Sequence, residues 1–98
     1  MSLNPLQKEE LIHLLLRDGI LQFGDFITKS GRRSPYFFNT GRLCSGDSLQ
    51  KVGRLFAELI KEEDQSEIYL FGPAYKGIPL AAATATILSE TLKRKTFF

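Results

Sequence analysis

An apolar run, Ile68-Tyr69-Leu70-Phe71, breaks at Gly72-Pro73, and a small-residue helix begins at Ile78-Pro79. Between them lies a tight loop, Ala74-Tyr75-Lys76-Gly77, with one lysine and a second glycine. The segment reads as strand, loop, helix, and Thr96-Phe97-Phe98 opens another strand. That order is a βαβ unit, whose crossover returns the chain so that the two strands run parallel. This constrains the fold more than any other feature, because parallel sheets are buried on both faces. The helix predicted over 78–92 carries Ile78, Leu80, Ala81, Ala82, Ala83, Ala85, Ile87 and Leu88 and is apolar on most sides. Such a helix expects cover by more than two strands, yet the next strand has only begun at Phe98. The chain is therefore expected to be the first part of a larger α/β domain.

The same loop proposes a chemistry. Backbone N–H groups at a helix start, with one ammonium beside them, suit a phosphate or pyrophosphate. A strand-to-helix switch is also where open α/β sheets bind ligands. Lys76 alone leaves two readings open, an anion-binding lysine or a solvated one. Tyr75 likewise lends a hydroxyl or face to a ligand, or simply packs.

The remaining sequence narrows the class. With 98 residues there is room for one domain at most. A net charge of +2 is too mild to argue for nucleic acid. The single cysteine, Cys44, excludes an internal disulfide and fits a reducing cytosol. No apolar run approaches the ~20 residues that span a bilayer. Glu9 and Glu10 interrupt any signal-peptide pattern. The expected setting is cytoplasmic, without membrane or nucleic-acid partners.

Asn4-Pro5 opens a first helix, with Asn4 as N-cap and Gln7 as capping-box partner. Leu11, Ile12, Leu15 and Leu16 are its expected buried side, and Gly19 its end. Leu21-Gln22-Phe23 and Phe26-Ile27-Thr28 alternate like strands, Ser30-Gly31-Arg32 is a turn, and 34–39 is an aromatic strand. A second helix is expected from Gly46 to Lys61, capped by Ser45, and 62–66 is a polar loop. The segment 26–41 offers Lys29, Arg32, Arg33 and three consecutive aromatics. An anionic, planar heteroaromatic substrate would suit it. From the residues alone, an amphipathic hairpin with alternate aromatics packed in the core is the stronger reading.

Two stretches resemble one family. Leu70 to Leu80 is similar to the pyrophosphate-binding loop of orotate phosphoribosyltransferases. Lys29-Ser30-Gly31-Arg32 and Ser34-Pro35-Tyr36-Phe37-Phe38-Asn39 resemble that family's hood. Both matches stand in the family's order and cover about residues 20–90. The resemblance implies a phosphoribosyltransferase-type parallel-sheet α/β fold with a small β hood. Residues 1–42 would form the N-terminal helix and hood, and 43–98 the first part of the core.

It also implies transfer of phosphoribosyl from phosphoribosyl pyrophosphate to orotate, giving orotidine 5′-monophosphate and pyrophosphate in pyrimidine biosynthesis. Mg²⁺ would accompany the substrate, and the enzyme would be a homodimer. Lys29, Tyr75 and Lys76 would contact phosphoribosyl pyrophosphate, and Phe37 and Phe38 the orotate. A non-proline cis peptide is implied at Ala74–Tyr75. The family's mobile catalytic loop and 5-phosphate cradle have no counterpart here, so no catalytic or metal-ligating residue is expected in this chain, and activity alone is not expected. The alternative is a non-enzymatic regulator that binds phosphoribosyl pyrophosphate.

Other candidates are weaker. His13 reads as solvated, Cys44 as half-buried after a strand, and Lys93-Arg94-Lys95 as a cationic helix end.

Overall fold

The computed structural model describes residues 2–63 and 66–98. Asp64 and Gln65 of the polar loop expected over 62–66 lie outside the described residues.

Helix α1 (Pro5–Arg17) starts as its sequence dictates. The Asn4 side chain accepts from the Gln7 N–H at 2.8 Å, and the Gln7 side chain accepts from the Asn4 N–H at 2.9 Å. Two otherwise orphaned donors are thus satisfied at once. Its buried residue is Leu14, with Leu11 and Leu15 partly buried. Ile12 and Leu16, expected inside, are exposed. The helix rests on the rest of the chain along a narrow stripe, so its apolar arc is wider than its contact.

Strands β1 (Leu21–Ile27) and β2 (Arg33–Phe38) form an antiparallel hairpin. The two alternating pieces expected at 21–28 are one strand, whose register shifts between Phe23 and Phe26. A bulge there absorbs the phase change between them. Gly31 takes φ +84° in the turn, a left-handed conformation that glycine adopts without steric cost. A single 3-10 turn, Thr40–Arg42, follows and was not anticipated.

Helix α2 (Gly46–Ile60) is capped by Ser45, whose hydroxyl accepts from the Ser48 N–H at 3.1 Å. Strands β3 (Glu67–Tyr69) and β4 (Lys95–Phe97) pair in parallel around helix α3 (Gly77–Leu92). The βαβ unit is therefore present and the fold is α/β. β3 is shorter than the expected 68–71, although the Leu70 N–H still donates to the Phe97 carbonyl at 2.8 Å. Ile68 faces the helices, while Tyr69 and Phe97 stack on the open face with ring centroids 5.0 Å apart.

The cover over α3 comes from α2 and two strands. Gly53 lets the helices close: a Cβ there would stand 2.8 Å from the Ile87 Cδ1. Two small cores result. Ala57, Ile68, Ile87 and Leu88 form one, and Leu14, Ile20 and Val52 the other, with α2 contributing to both.

Polar contacts lock the joints. The Ser48 hydroxyl donates to Asp18, the Arg17 Nε donates to the same carboxylate at 2.9 Å, and Arg17 also donates to the Ser48 hydroxyl at 3.1 Å. Arg94 donates to the Lys61 carbonyl at 3.0 Å and to the Glu63 carbonyl. The cation of the 93–95 run thus serves the end of α2, where helix carbonyls lack partners, rather than its own helix.

Among the described residues the hairpin, by contrast, packs on no element except α1. Its aromatics were expected in the core, but Phe23, Tyr36, Phe37 and Phe38 are all exposed. The projection shows in the radius of gyration, 15.0 Å against about 13 Å for a compact chain of this length.

Candidate functional site

The loop between β3 and α3 folds back on the first turn of the helix. Gly72 lies against Gly77 so closely that a side chain at Gly72 would collide with the Gly77 carbonyl group and stand 2.9 Å from the Ala81 Cβ. That close approach is why glycine stands there. The Ala74–Tyr75 peptide is cis, as the resemblance implies.

The helix start is less open to an anion than the loop pattern implies. The Gly77 N–H donates to the Pro73 carbonyl at 2.9 Å and the Ile78 N–H to the Tyr75 carbonyl at 3.2 Å. Pro79 has no N–H to give. Among the described residues the amides of Ala74, Tyr75 and Lys76 have no protein acceptor. Donors for an anion are therefore concentrated in the loop and in the Lys76 ammonium, not in the first helical turn. Tyr75 is 88% exposed, which removes the packing reading.

Lys76 is the N-cap of α3 and its side chain makes no capping bond. It extends toward the 3-10 turn below the hairpin. A Cβ on Gly41 would lie 3.8 Å from both the Cε and the Nζ of Lys76. Hood and loop, far apart in sequence, thus meet at this lysine. Phe37 and Phe38 are the last residues of β2, just before that turn.

The rings of the two phenylalanines do not share a face of β2. Neighbours on a strand project to opposite faces. Phe37 stands opposite Gln22 and its ring meets Phe26 at 5.7 Å, whereas Phe38 stands opposite Leu21. A flat molecule at the foot of the hairpin can lie against one ring and take only main-chain contacts from the other residue. Lys29 lies at the far tip, where the turn is closed by the Thr28 N–H donating to the Arg32 carbonyl at 2.9 Å. Along β2 the tip is about 17 Å from Phe38. Lys29 is thus not placed beside Lys76 by local structure alone.

Two concavities lie away from these residues. A groove of about 1070 Å³ between α1 and α2 is lined by His13, Arg17, Arg54 and Glu58 among others. An apolar cleft of about 250 Å³ behind the loop is lined by Phe56, Leu70, Phe71 and Leu80. Neither holds Lys29, Phe37, Phe38, Tyr75 or Lys76. Those residues occupy an open surface. Cys44 is exposed, not half-buried, because the chain leaves the hood there without crossing a core. His13 is exposed with Glu9 Oε1 3.7 Å from its Nε2. Among the described residues no group of three or more metal-ligating side chains converges, and no helix is long and apolar enough to cross a membrane.

Missing from the sequence-based candidates are Asn39 and Gly41, which form the meeting point. The only sequence signal was an Asn-Thr-Gly turn directly after the aromatic strand.

A parallel βαβ unit with a glycine-bounded lysine loop at its strand-to-helix switch, and a projecting antiparallel hairpin, make this an α/β fold. No family model matches the chain. Within that class its similarity is to the N-terminal part of orotate phosphoribosyltransferases. It is 54% identical over 83 residues to the orotate phosphoribosyltransferase of Legionella pneumophila (strain Paris), covering 85% of this chain and 40% of that protein. The Clostridium beijerinckii orotate phosphoribosyltransferase is 49% identical over 86 residues, which are 86% of this chain and 38% of the relative. Among solved structures, the Francisella tularensis orotate phosphoribosyltransferase matches with a TM-score of 0.74 at 40% identity, over 90% of this chain and 45% of that one. Leishmania donovani UMP synthase matches with a TM-score of 0.68 at 25% identity, over 91% of this chain and 19% of that one. The chain spans about two fifths of the length of the curated relatives it matches.

Proposed function

We propose that this chain supplies the orotate- and pyrophosphate-side surface of an orotate phosphoribosyltransferase, a glycosyltransferase of pyrimidine biosynthesis. In that reaction a ring nitrogen of orotate bonds to the anomeric carbon of phosphoribosyl pyrophosphate as the carbon–oxygen bond to pyrophosphate breaks. Negative charge gathers on the leaving diphosphate. Lys76 and the free amides of Tyr75 and its neighbours lie where that charge would form, and groups already oriented toward developing charge lower the barrier. Residues 1–42, the N-terminal helix and hood, carry the substrate side, and 43–98 the first part of the α/β core with the pyrophosphate loop. One of Phe37 and Phe38 offers a ring face to the substrate and the other its main chain. Lys29 reaches the phosphoribosyl pyrophosphate when the hood leans over it.

The Mg²⁺ that the family implies has no convergent carboxylate set among the described residues. In this reading the ion enters with the substrate, whose phosphate oxygens are the hard ligands Mg²⁺ prefers. The reading includes a cytoplasmic homodimer.

The observation that carries it is the direction of Lys76, toward Gly41 at the foot of the strand bearing Phe37 and Phe38. Titration of inorganic pyrophosphate and of orotate into the chain, followed by NMR, tests it. Lys76→Ala is expected to weaken pyrophosphate binding about tenfold, as loss of one charge-assisted contact does, and to leave orotate binding unchanged. Absence of saturable pyrophosphate binding would overturn the reading. Pyrophosphate binding without orotate binding would instead favour a regulator. The chain alone is expected to show no turnover, and its fusion to the remaining part of the Legionella relative is expected to restore it.

A further inference from the structure

The glycine of the 3-10 turn Thr40–Arg42 lies under the Lys76 ammonium. Gly41 does not have a positive φ, so the turn itself would accept a side chain. The Asn39 side chain is what crowds one, and Lys76 stands at ordinary contact distance beyond it. A Cβ would stand 3.2 Å from the Asn39 Oδ1 and 3.8 Å from the Cε and Nζ of Lys76. A methyl would press on Asn39, and any branch beyond it would enter the space of the ammonium.

The turn is not free to swing away. The Asn39 N–H donates to the Ile20 carbonyl at 2.6 Å, and the Arg42 Nε donates to the Asp18 carbonyl at 3.1 Å. The Asn39 side chain in turn accepts from the Gly41 N–H at 3.1 Å. Gly41 is therefore fixed to the end of α1 from both sides while its bare Cα faces Lys76. The lysine stem is long and flexible, so a fixed floor decides where its charge rests.

We propose that Gly41 is a positioning residue for Lys76, leaving its ammonium a defined seat from which it meets an oxygen of a condensed phosphate. This rests on the proposed function above. Gly41 itself touches no reacting atom.

Inorganic pyrophosphate, titrated by ³¹P NMR, is the probe. The proteins are the unaltered chain, Gly41→Ala, Gly41→Val, Lys76→Ala and the Gly41→Val/Lys76→Ala double variant. Gly41→Val is expected to weaken binding about tenfold, and the double variant to bind no more weakly than Lys76→Ala alone, because both changes act through one ammonium. A residue needed only for folding would lower the melting temperature without that non-additivity. Wild-type affinity in folded Gly41→Val, or losses that multiply in the double variant, would overturn the proposal. If Gly41→Val does not fold, Gly41→Ala decides: about a twofold to threefold loss is expected, and unchanged affinity would overturn it. If the unaltered chain takes up no pyrophosphate, or Lys76→Ala changes nothing, the reading of the loop fails first and this proposal with it.

Discussion

At Asp18 one carboxylate joins two helices. The Arg17 guanidinium, and then the Ser48 hydroxyl, hold its carboxyl below the usual carboxylate range by hydrogen bonding to the charged form. A depressed folded-state pKa stabilises the fold above the unfolded aspartate value, and that contribution is lost as the pH falls through the folded value. The window is therefore acidic, below the ordinary aspartate pKa of 3.8. Arg17→Met removes the largest cause of the shift. Its acid-unfolding midpoint, followed by circular dichroism, is expected to move to higher pH, and an unmoved midpoint would show that the pair does not contribute. At this scale the capping residues were legible in the sequence. Asn4 with Gln7, and Ser45, act on amides a few residues away, so spacing alone identifies them. The partners of Lys76 and Arg94 were not legible, because both lie about thirty or more residues distant and are set by packing.

At the scale of elements, the joint between α2 and α3 carries the larger core. Leu88 is fully buried between them and β3. Leu88→Ala is expected to destabilise the chain by about 2–5 kcal/mol, the range for a buried leucine that leaves a cavity. Urea denaturation measures it, and a loss well under 1 kcal/mol would mean that α3 is not packed as described. Helices and the βαβ order were readable because apolar periodicity and a Gly-Pro break are local signals. Burial was less so. Alternation along β1 and β2 correctly marked a hairpin, but alternation cannot say whether either face has something to lie against. The same gap explains Ile12 and Leu16 on α1. Phe37 and Phe38, paired by the family resemblance, project to opposite faces of β2 because they are neighbours on one strand.

For the whole molecule the outstanding quantity is exposed area. The chain presents 7127 Å², against about 5700 Å² for a compact monomer of its mass. Much of what is exposed is aromatic: Tyr69, Phe71, Tyr75 and Phe98 are each at least 70% accessible. Parallel strands with one naked face are rare because that face is normally covered. The isolated chain is therefore expected to bind anilinonaphthalene sulfonate, and Tyr69→Ser with Phe97→Ser to reduce that fluorescence, as loss of the stacked pair on the open sheet face would. Unchanged dye binding would place the accessible apolar area elsewhere.

With α1 its foothold among the described residues, the hairpin is a lever. Its arm is about 17 Å long, so a turn of roughly 10° at the foot sweeps the tip through about 3 Å. Lys29 rides at that tip and Gly41 sits at the fulcrum. The reach of one cation over the surface is thus governed by the same few residues that seat the other.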